Sequence, residues 1–350
     1  MIVARSGNRW HALVIGVALA LINPTLAAQG ATLWQSNSDG DDIHIFDATT
    51  LAPRGRLVVG LNPHGLATDA RQRIVYVTLE RNGHDAGELL WIDVATRQIV
   101  HRMTVGPEPH QLAVTPDGAW AYVPCRDGHY WVIDTQARKV VKKIETGGRP
   151  HNTTVSPDGR FAYLSPMGGA ARVTVVSIAD GHEVVGEIPF SDSVRPPAIN
   201  RSGKQLFQHV DGLNGFEVAS TRARQPIARV VHSTSLGWFL MRPKLIGWFS
   251  GHGFRRCHGL AIRPGDREVW SVCGNYLSIH DAIAPYTERA MIELPSKGYW
   301  LAFHPNSQYV YVALSGADQV AIINADARTL KALIDVGRTP KRNLVLRGVM

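Results

Sequence analysis

EPHQLAVTPDGAWAYV, residues 108–123, reads as a strand, a tight turn and a second strand, with His110 where the first strand begins. The phrase recurs. NPHGLATDARQRIVYV (62–77), RPHNTTVSPDGRFAYL (149–164) and RCHGLAIRPGDREVWS (256–271) keep the same frame. Each pairs a histidine with an aromatic residue at one fixed spacing: His64 and Tyr76, His110 and Tyr122, His151 and Tyr163, His258 and Trp270 (76−64 = 122−110 = 163−151 = 270−258). Two more copies keep the frame and change the residue, with Arg195 standing to Phe207 and Tyr299 to Tyr311 at the same spacing.

The copies start at positions 64, 110, 151, 195, 258 and 299, so the successive gaps are 46, 41, 44, 63 and 41. Each unit ends alike, as in LLWIDVATRQIVHRMTVG, YWVIDTQARKVVKKIETG and VAIINADARTLKALIDVG: a third strand, a turn at Asp or Asn, and a fourth strand. A period of roughly 40 residues with four strands per unit is the signature of a β-propeller. The first copy, from Ala31, lacks its first strand. GRTPKRNLVLRG near the C-terminus supplies one, with Lys341 in the histidine position. The sequence therefore predicts an all-β, seven-bladed propeller of four-stranded antiparallel blades, closed by the C-terminal strand, so that the edges an open sheet would expose are paired.

YVTL at Tyr76, VTPDGAWAYV and HPNSQYVYVAL resemble the YVTN-type propeller repeats of exported prokaryotic proteins, over roughly residues 31–350. Similar repeats occur in lactonase propellers and in the haem-d domain of cytochrome-type nitrite reductases. The resemblance implies the fold and leaves function open, because propellers host many functions.

The N-terminus reads as a targeting signal over residues 1–28. Arg5 and Arg9 precede a short apolar run, ALVIGVALALIN, and PTLAAQ offers small residues for cleavage near Ala27 or Ala28. The apolar run is short for a membrane span, so no transmembrane span is expected after cleavage, and the expected location is periplasmic or secreted. The propeller then occupies 29–350. Cys257 and Cys273 flank the turn RPGD (263–266) at positions whose numbers sum to 530, so they should face each other across a hairpin and pair as a disulfide, leaving Cys125 free.

In a propeller the first strands line the channel, so His64, His110, His151, Arg195, His258, Tyr299 and Lys341 should meet at one mouth. That ring reads as polar and without a carboxylate. Its donors suit an anionic small molecule, and neutral imidazoles at His64, His110, His151 and His258 suit a transition metal or haem iron. A bland reading also stands, in which each histidine only bonds neighbouring backbone.

The gap of 63 holds an aromatic, basic insertion at 232–256 between blades five and six, with GWF twice. It reads either as a lid over the mouth or as an outer flap. No Asp or Glu occurs from 218 to 265, which holds eight Arg and Lys residues, matching the net charge of +8. That charge favours an anionic ligand, an acidic envelope partner or a lipid surface; no nucleic-acid motif is present. Three functions follow: a binding scaffold in the envelope, a lactonase using His258 with Arg195, or a metal- or haem-binding redox protein.

Overall fold

The computed structural model describes residues 30–233 and 257–348. The leader and nearly all of the 232–256 insertion lie outside the described residues. Within them the chain forms seven separate four-stranded antiparallel sheets. Six are built from consecutive strands. The seventh joins the two ends of the chain, with Pro340–Leu346 beside Thr32–Asn37, followed by Asp42–Asp47 and Pro53–Val58. Thr32 faces Leu346, Leu33 faces Val345 and Trp34 faces Leu344, with a register shift before Asn37 and Pro340. The C-terminal strand thus completes the N-terminal blade. Among the described residues no helix is long and apolar enough to cross a membrane.

Local chemistry sets the repeat. In the turn after the first strand, Pro116 pre-sets its own φ, Gly118 takes φ +80, and the Gly118 amide donates to the Thr115 carbonyl at 2.8 Å. Ser156 to Gly159 repeat this turn in the next blade, with Gly159 at φ +70. The turn between third and fourth strands is set by a side chain. Asp134 Oδ1 accepts from the amides of Gln136 and Ala137 at 3.0 and 2.8 Å, and Asn324 does the same for Asp326 and Ala327.

Burial follows the layers. Second strands are sandwiched between neighbouring blades, and the aligned aromatic residue of each, from Trp34 to Tyr311, is buried. Two of them reach the next blade: Tyr122 Oη meets His182 Nδ1 at 2.7 Å, and Tyr311 Oη donates to the Ala48 carbonyl, bridging the last blade to the first. Fourth strands such as Lys139–Glu145 alternate between solvent and protein, as an outer edge should. The first strands of successive blades pack against one another around the centre. Gln111 and Asn152 even pair in parallel across two blades, which draws the strands carrying His110 and His151 together.

Cys257 and Cys273 are direct partners across the first hairpin of blade six and are joined by a disulfide. Cys125 is free and buried in an apolar cluster, where burial pushes its thiol well above the usual range.

Candidate functional site

Five of the seven aligned positions carry ring side chains, and these touch in a closed circuit. His64 and His110 have centroids 3.7 Å apart, as do His110 and His151. His151 meets His258 edge-on at 5.6 Å, His258 stacks on Tyr299 at 4.0 Å, and Tyr299 returns to His64 at 5.8 Å. Tyr299 Oη lies 3.1 Å from His64 Nε2, and His110 Nδ1 lies 3.1 Å from the His151 carbonyl. The other two positions carry cations. Arg195 pairs through Nε with Asp211 Oδ1, and the Lys341 ammonium sits 4.7 Å from the centre of the Tyr299 ring.

A carboxylate does enter this ring, contrary to the sequence expectation. Glu80 follows the strand Ile74–Leu79, and its Oε1 lies 2.9 Å from His64 Nδ1 and 3.5 Å from His110 Nε2. The three donor atoms fall within 4.8 Å of one another. The signal was present in the numbering. Glu80 stands to His64 as Asp211 stands to Arg195 (80−64 = 211−195). Both carboxylates meet their ring residue from the end of a second strand, so carrying that one offset forward from each ring position finds them.

Arg342 was missed for a related reason. The residues following the ring positions are Gly65, Gln111, Asn152, Pro196, Gly259, Trp300 and Arg342, one layer further along the channel. Two are glycine because backbone crowds there. A Cβ on Gly65 would lie 2.7 Å from the His110 carbonyl oxygen, and one on Gly259 would lie 2.9 Å from Leu301 Cδ2. The room goes to Arg342, which is 1% exposed. Its guanidinium carbon lies 3.5 Å from the Trp300 ring centre, and Nη2 makes one long contact of 3.4 Å to Asn152 Oδ1. Among the described residues Nε and Nη1 have no hydrogen-bond partner. No carboxylate among the described residues pairs with it directly.

Two voids adjoin these groups. One of about 180 Å³ is bordered by Glu80, His110, His151, Arg126, Arg149 and Met167. The other, of about 360 Å³, is bordered among others by Gln111, Asn152 and Trp300, the two last being the residues that hold Arg342.

Charge states follow from burial and neighbours. Burial lowers the pKa of His64 against the pull of Glu80. It drives His110, His151 and His258 well below the usual imidazole range, with Arg342 and the neighbouring histidines adding to the effect. Burial raises the Glu80 carboxyl, but His64, Lys341 and Arg126 outweigh it and the net shift is downward. Burial also lowers Arg342, to about 10, which leaves it charged at neutral pH. The mouth thus holds neutral imidazoles, the Glu80 carboxylate and the buried Arg342 cation, with Lys341 and the Arg195–Asp211 pair beside them.

That donor set fits a transition-metal ion. Metal–ligand bonds of about 2.0–2.1 Å at a tetrahedral angle hold their donors roughly 3.3 Å apart, close to the 2.9 and 3.5 Å around Glu80 Oε1. Directly over the rings the described residues leave less room than a haem needs: the rings already touch one another, and the 180 Å³ void beside them is small against the roughly 300–1,000 Å³ of cofactor-sized pockets.

Two of the four basic residues described in the strongly basic stretch are paired with carboxylates, Arg229 with Glu217 and Arg263 with Glu268 and Asp326. Arg224 donates to the Val185 carbonyl of the neighbouring blade, and Arg222 is exposed.

Residues 70–184 match the family model described as the cytochrome D1 heme domain. The match spans 115 of 350 residues and includes Glu80, His110 and His151 but not His64, His258, Tyr299 or Arg342. No protein of curated function matches the chain. Among solved structures, hydrazine synthase from Kuenenia stuttgartiensis superposes with a TM-score of 0.69 at 18% identity, over 81% of this chain and 95% of that one. Dihydro-heme d1 dehydrogenase NirN in complex with DHE gives 0.61 at 15% identity, over 87% of this chain and 63% of that one, so the chain spans less than two thirds of its length. A functionally unknown protein from Desulfotomaculum acetoxidans gives 0.74 at 11% identity, over 91% and 100%. At these identities the likeness establishes the seven-bladed fold.

Proposed function

We propose that this chain is an exported, redox-associated propeller that holds one first-row transition-metal ion at its channel mouth and receives a small anion beside it. The convergence of His64, Glu80 and His110 within 4.8 Å carries the reading. Two neutral imidazoles and a carboxylate are ligands of intermediate hardness, suited to copper, zinc or iron. The partial match to the cytochrome D1 heme domain supports a redox setting, while the small void argues for an ion in place of a macrocycle. His110 and Glu80 both border that void, which leaves room for an exogenous ligand on the ion.

The anion would be drawn by Arg342, whose Nε and Nη1 donors lack partners. Its Nε–H and Nη1–H leave different edges of the guanidinium, so each can donate one hydrogen bond to a small oxyanion. Both elements belong to the family of readings that the aligned histidines suggested, and Glu80 supplies the carboxylate that a bare cation needs. The leader-like character of residues 1–28 supports an activity outside the cytoplasm.

Metal analysis and an absorbance spectrum of the purified protein, before and after loading with Cu(II) or Co(II), test the proposal. One equivalent bound per chain through nitrogen and oxygen ligands, lost in His64→Ala/His110→Ala, is the expected result. Equal binding by that variant, or stoichiometric uptake of haem in place of the ion, overturns it.

A further inference from the structure

A second cluster lies between blades five and six, built from residues outside the ring. His209 lies near the end of the strand Gln205–Val210 and is fully buried. One of its ring nitrogens and the sulfurs of Cys257 and Cys273 all fall within 4.8 Å of one another. Its Nε2 meets Ser271 Oγ at 2.8 Å, and that hydroxyl lies 3.3 Å from Cys273 Sγ. Its Nδ1 completes no hydrogen bond among the described residues. His232, buried just past the fourth strand of blade five, places Nδ1 3.6 Å from Cys273 Sγ.

A structural disulfide needs no histidines around it. His209 beside both sulfurs, with His232 reaching Cys273 from outside that trio, offers the S₂N₂ donor types that tetrahedral Zn(II) sites use. We propose that His209, His232, Cys257 and Cys273 form a metal site that exists only when the disulfide is reduced. In the oxidised protein the sulfurs are bonded to each other and are poor ligands. A dithiol reductant passes two electrons to the Cys257–Cys273 bond and becomes a disulfide itself, and its two protons move to the protein sulfurs. A divalent ion then displaces those two protons and binds the thiolates. The sum is protein disulfide, dithiol and M²⁺ going to protein dithiolate–metal, external disulfide and two H⁺.

The site would report on the mouth. Cys257 immediately precedes His258, whose ring stacks on Tyr299. Reduction and metal capture therefore act at the position adjoining the ring circuit. This proposal stands apart from the mouth metal, since it shares no ligand with it.

The test uses the full chain and Co(II). Thiolate ligands give sulfur-to-cobalt charge-transfer absorption, which imidazole and carboxylate ligands cannot give. Reduced wild-type protein is expected to bind one more equivalent than oxidised protein and to develop that band. Cys273→Ala abolishes it, and His209→Ala weakens Co(II) binding at this site at least tenfold, with far-UV circular dichroism confirming that each variant is folded. The same pair of measurements on His64→Ala/His110→Ala, which keeps the sulfur cluster, separates this site from the mouth: the band persists there. No additional equivalent and no band in reduced wild type overturns the proposal. So does a disulfide that yields to reductant only on unfolding. If His209→Ala misfolds, His232→Ala provides the comparison, and an undiminished band in it overturns the four-ligand site.

Discussion

The two histidine clusters are built by opposite rules. At the mouth, His64, His110, His151, His258 and Tyr299 occupy one position of the repeat, so the propeller's rotation brings them together. Between blades five and six, the residues that meet are departures from the repeat. The residue before the ring position is proline at 63, 109, 150 and 340, but cysteine at 257. Cys125 holds the same register in blade three as Cys273 does in blade six, yet it packs in an apolar cluster and contacts the Val123 carbonyl. One cysteine is inert filling and the other a bridge, because only blade six has a second sulfur opposite. Repetition builds a shared surface, and deviation builds a local one.

The strongest way to break the comparison is to break the ring that makes the mouth. Pro340–Leu346 is the strand beside Thr32–Asn37, and Leu344 and Leu346 pack with Trp34, Ile43 and Ile45. Losing the contacts of a buried leucine such as Leu346 costs about 2–5 kcal/mol by itself. Deletion of residues 338–350 is expected to lower the melting temperature by at least about 10 °C or to abolish cooperative unfolding. An unchanged melt would refute a structural role for closure.

Acid should act on both clusters, and its sign is fixed. Burial, the largest cause in each case, lowers the pKa of His64, His110, His151 and His258 at the mouth and of His209, His232 and His280 near the disulfide. His232 falls to about 3. Glu80 opposes the shift at His64, and Glu288 opposes it at His232 and His280. An unfolded histidine titrates at about 6.5, so below that pH the unfolded chain binds protons the fold refuses. Stability is therefore complete above about pH 7 and falls with acid, by up to about 1.4 kcal/mol per pH unit for each histidine. Chelator-treated, oxidised protein should melt at nearly constant temperature from pH 7 to 8 and at steeply lower temperature from 6.5 to 5. His151→Gln/His258→Gln should flatten that slope; an equally steep slope would place the protons elsewhere.

How much of this was legible differs between the clusters. Closure by the C-terminal strand could be read because strand, turn and aromatic residue recur at fixed spacing, and a missing first strand at one end matched a surplus one at the other. The aligned positions were legible for the same reason. Glu80 and Arg342 were not, because reading one position per blade overlooks the far end of the second strand and the next layer of the channel. The facing of Cys257 and Cys273 follows from hairpin arithmetic, but His209 and His232 reach them across a blade boundary, and no local periodicity encodes such a contact. Part of the basic run also changed meaning: Arg229 and Arg263 became ion pairs between strands once Glu217, Glu268 and Asp326 were placed beside them.

Independence of the two clusters gives the next measurement. His64→Ala/His110→Ala should lose at least 100-fold in metal affinity at the mouth, about 2.7 kcal/mol. Cys273→Ala should leave that affinity within threefold. A matching loss in both would mean that the clusters are coupled through Cys257 and His258, which would sharpen the comparison into a single site with two halves.

The smallest effect separates binding from stability at Arg342. A buried guanidinium without a carboxylate partner carries a desolvation cost that one long contact to Asn152 and the face of Trp300 do not fully offset. Methionine has similar length, fills much of the same space and has no charge to desolvate. Arg342→Met is therefore expected to stabilise the protein in plain buffer, by about 1–4 kcal/mol if it behaves as other buried charges replaced by apolar groups do. The same change should remove the stabilisation that a small oxyanion such as nitrate, sulfite or sulfate gives the wild type, because Nε and Nη1 would be gone. Thermal melts with and without each anion check both halves. Opposite signs in the two conditions would mark Arg342 as a cation retained for a ligand at the expense of the fold. A variant destabilised in buffer, with anion protection intact, would show that the guanidinium is there for packing and that the anion binds elsewhere.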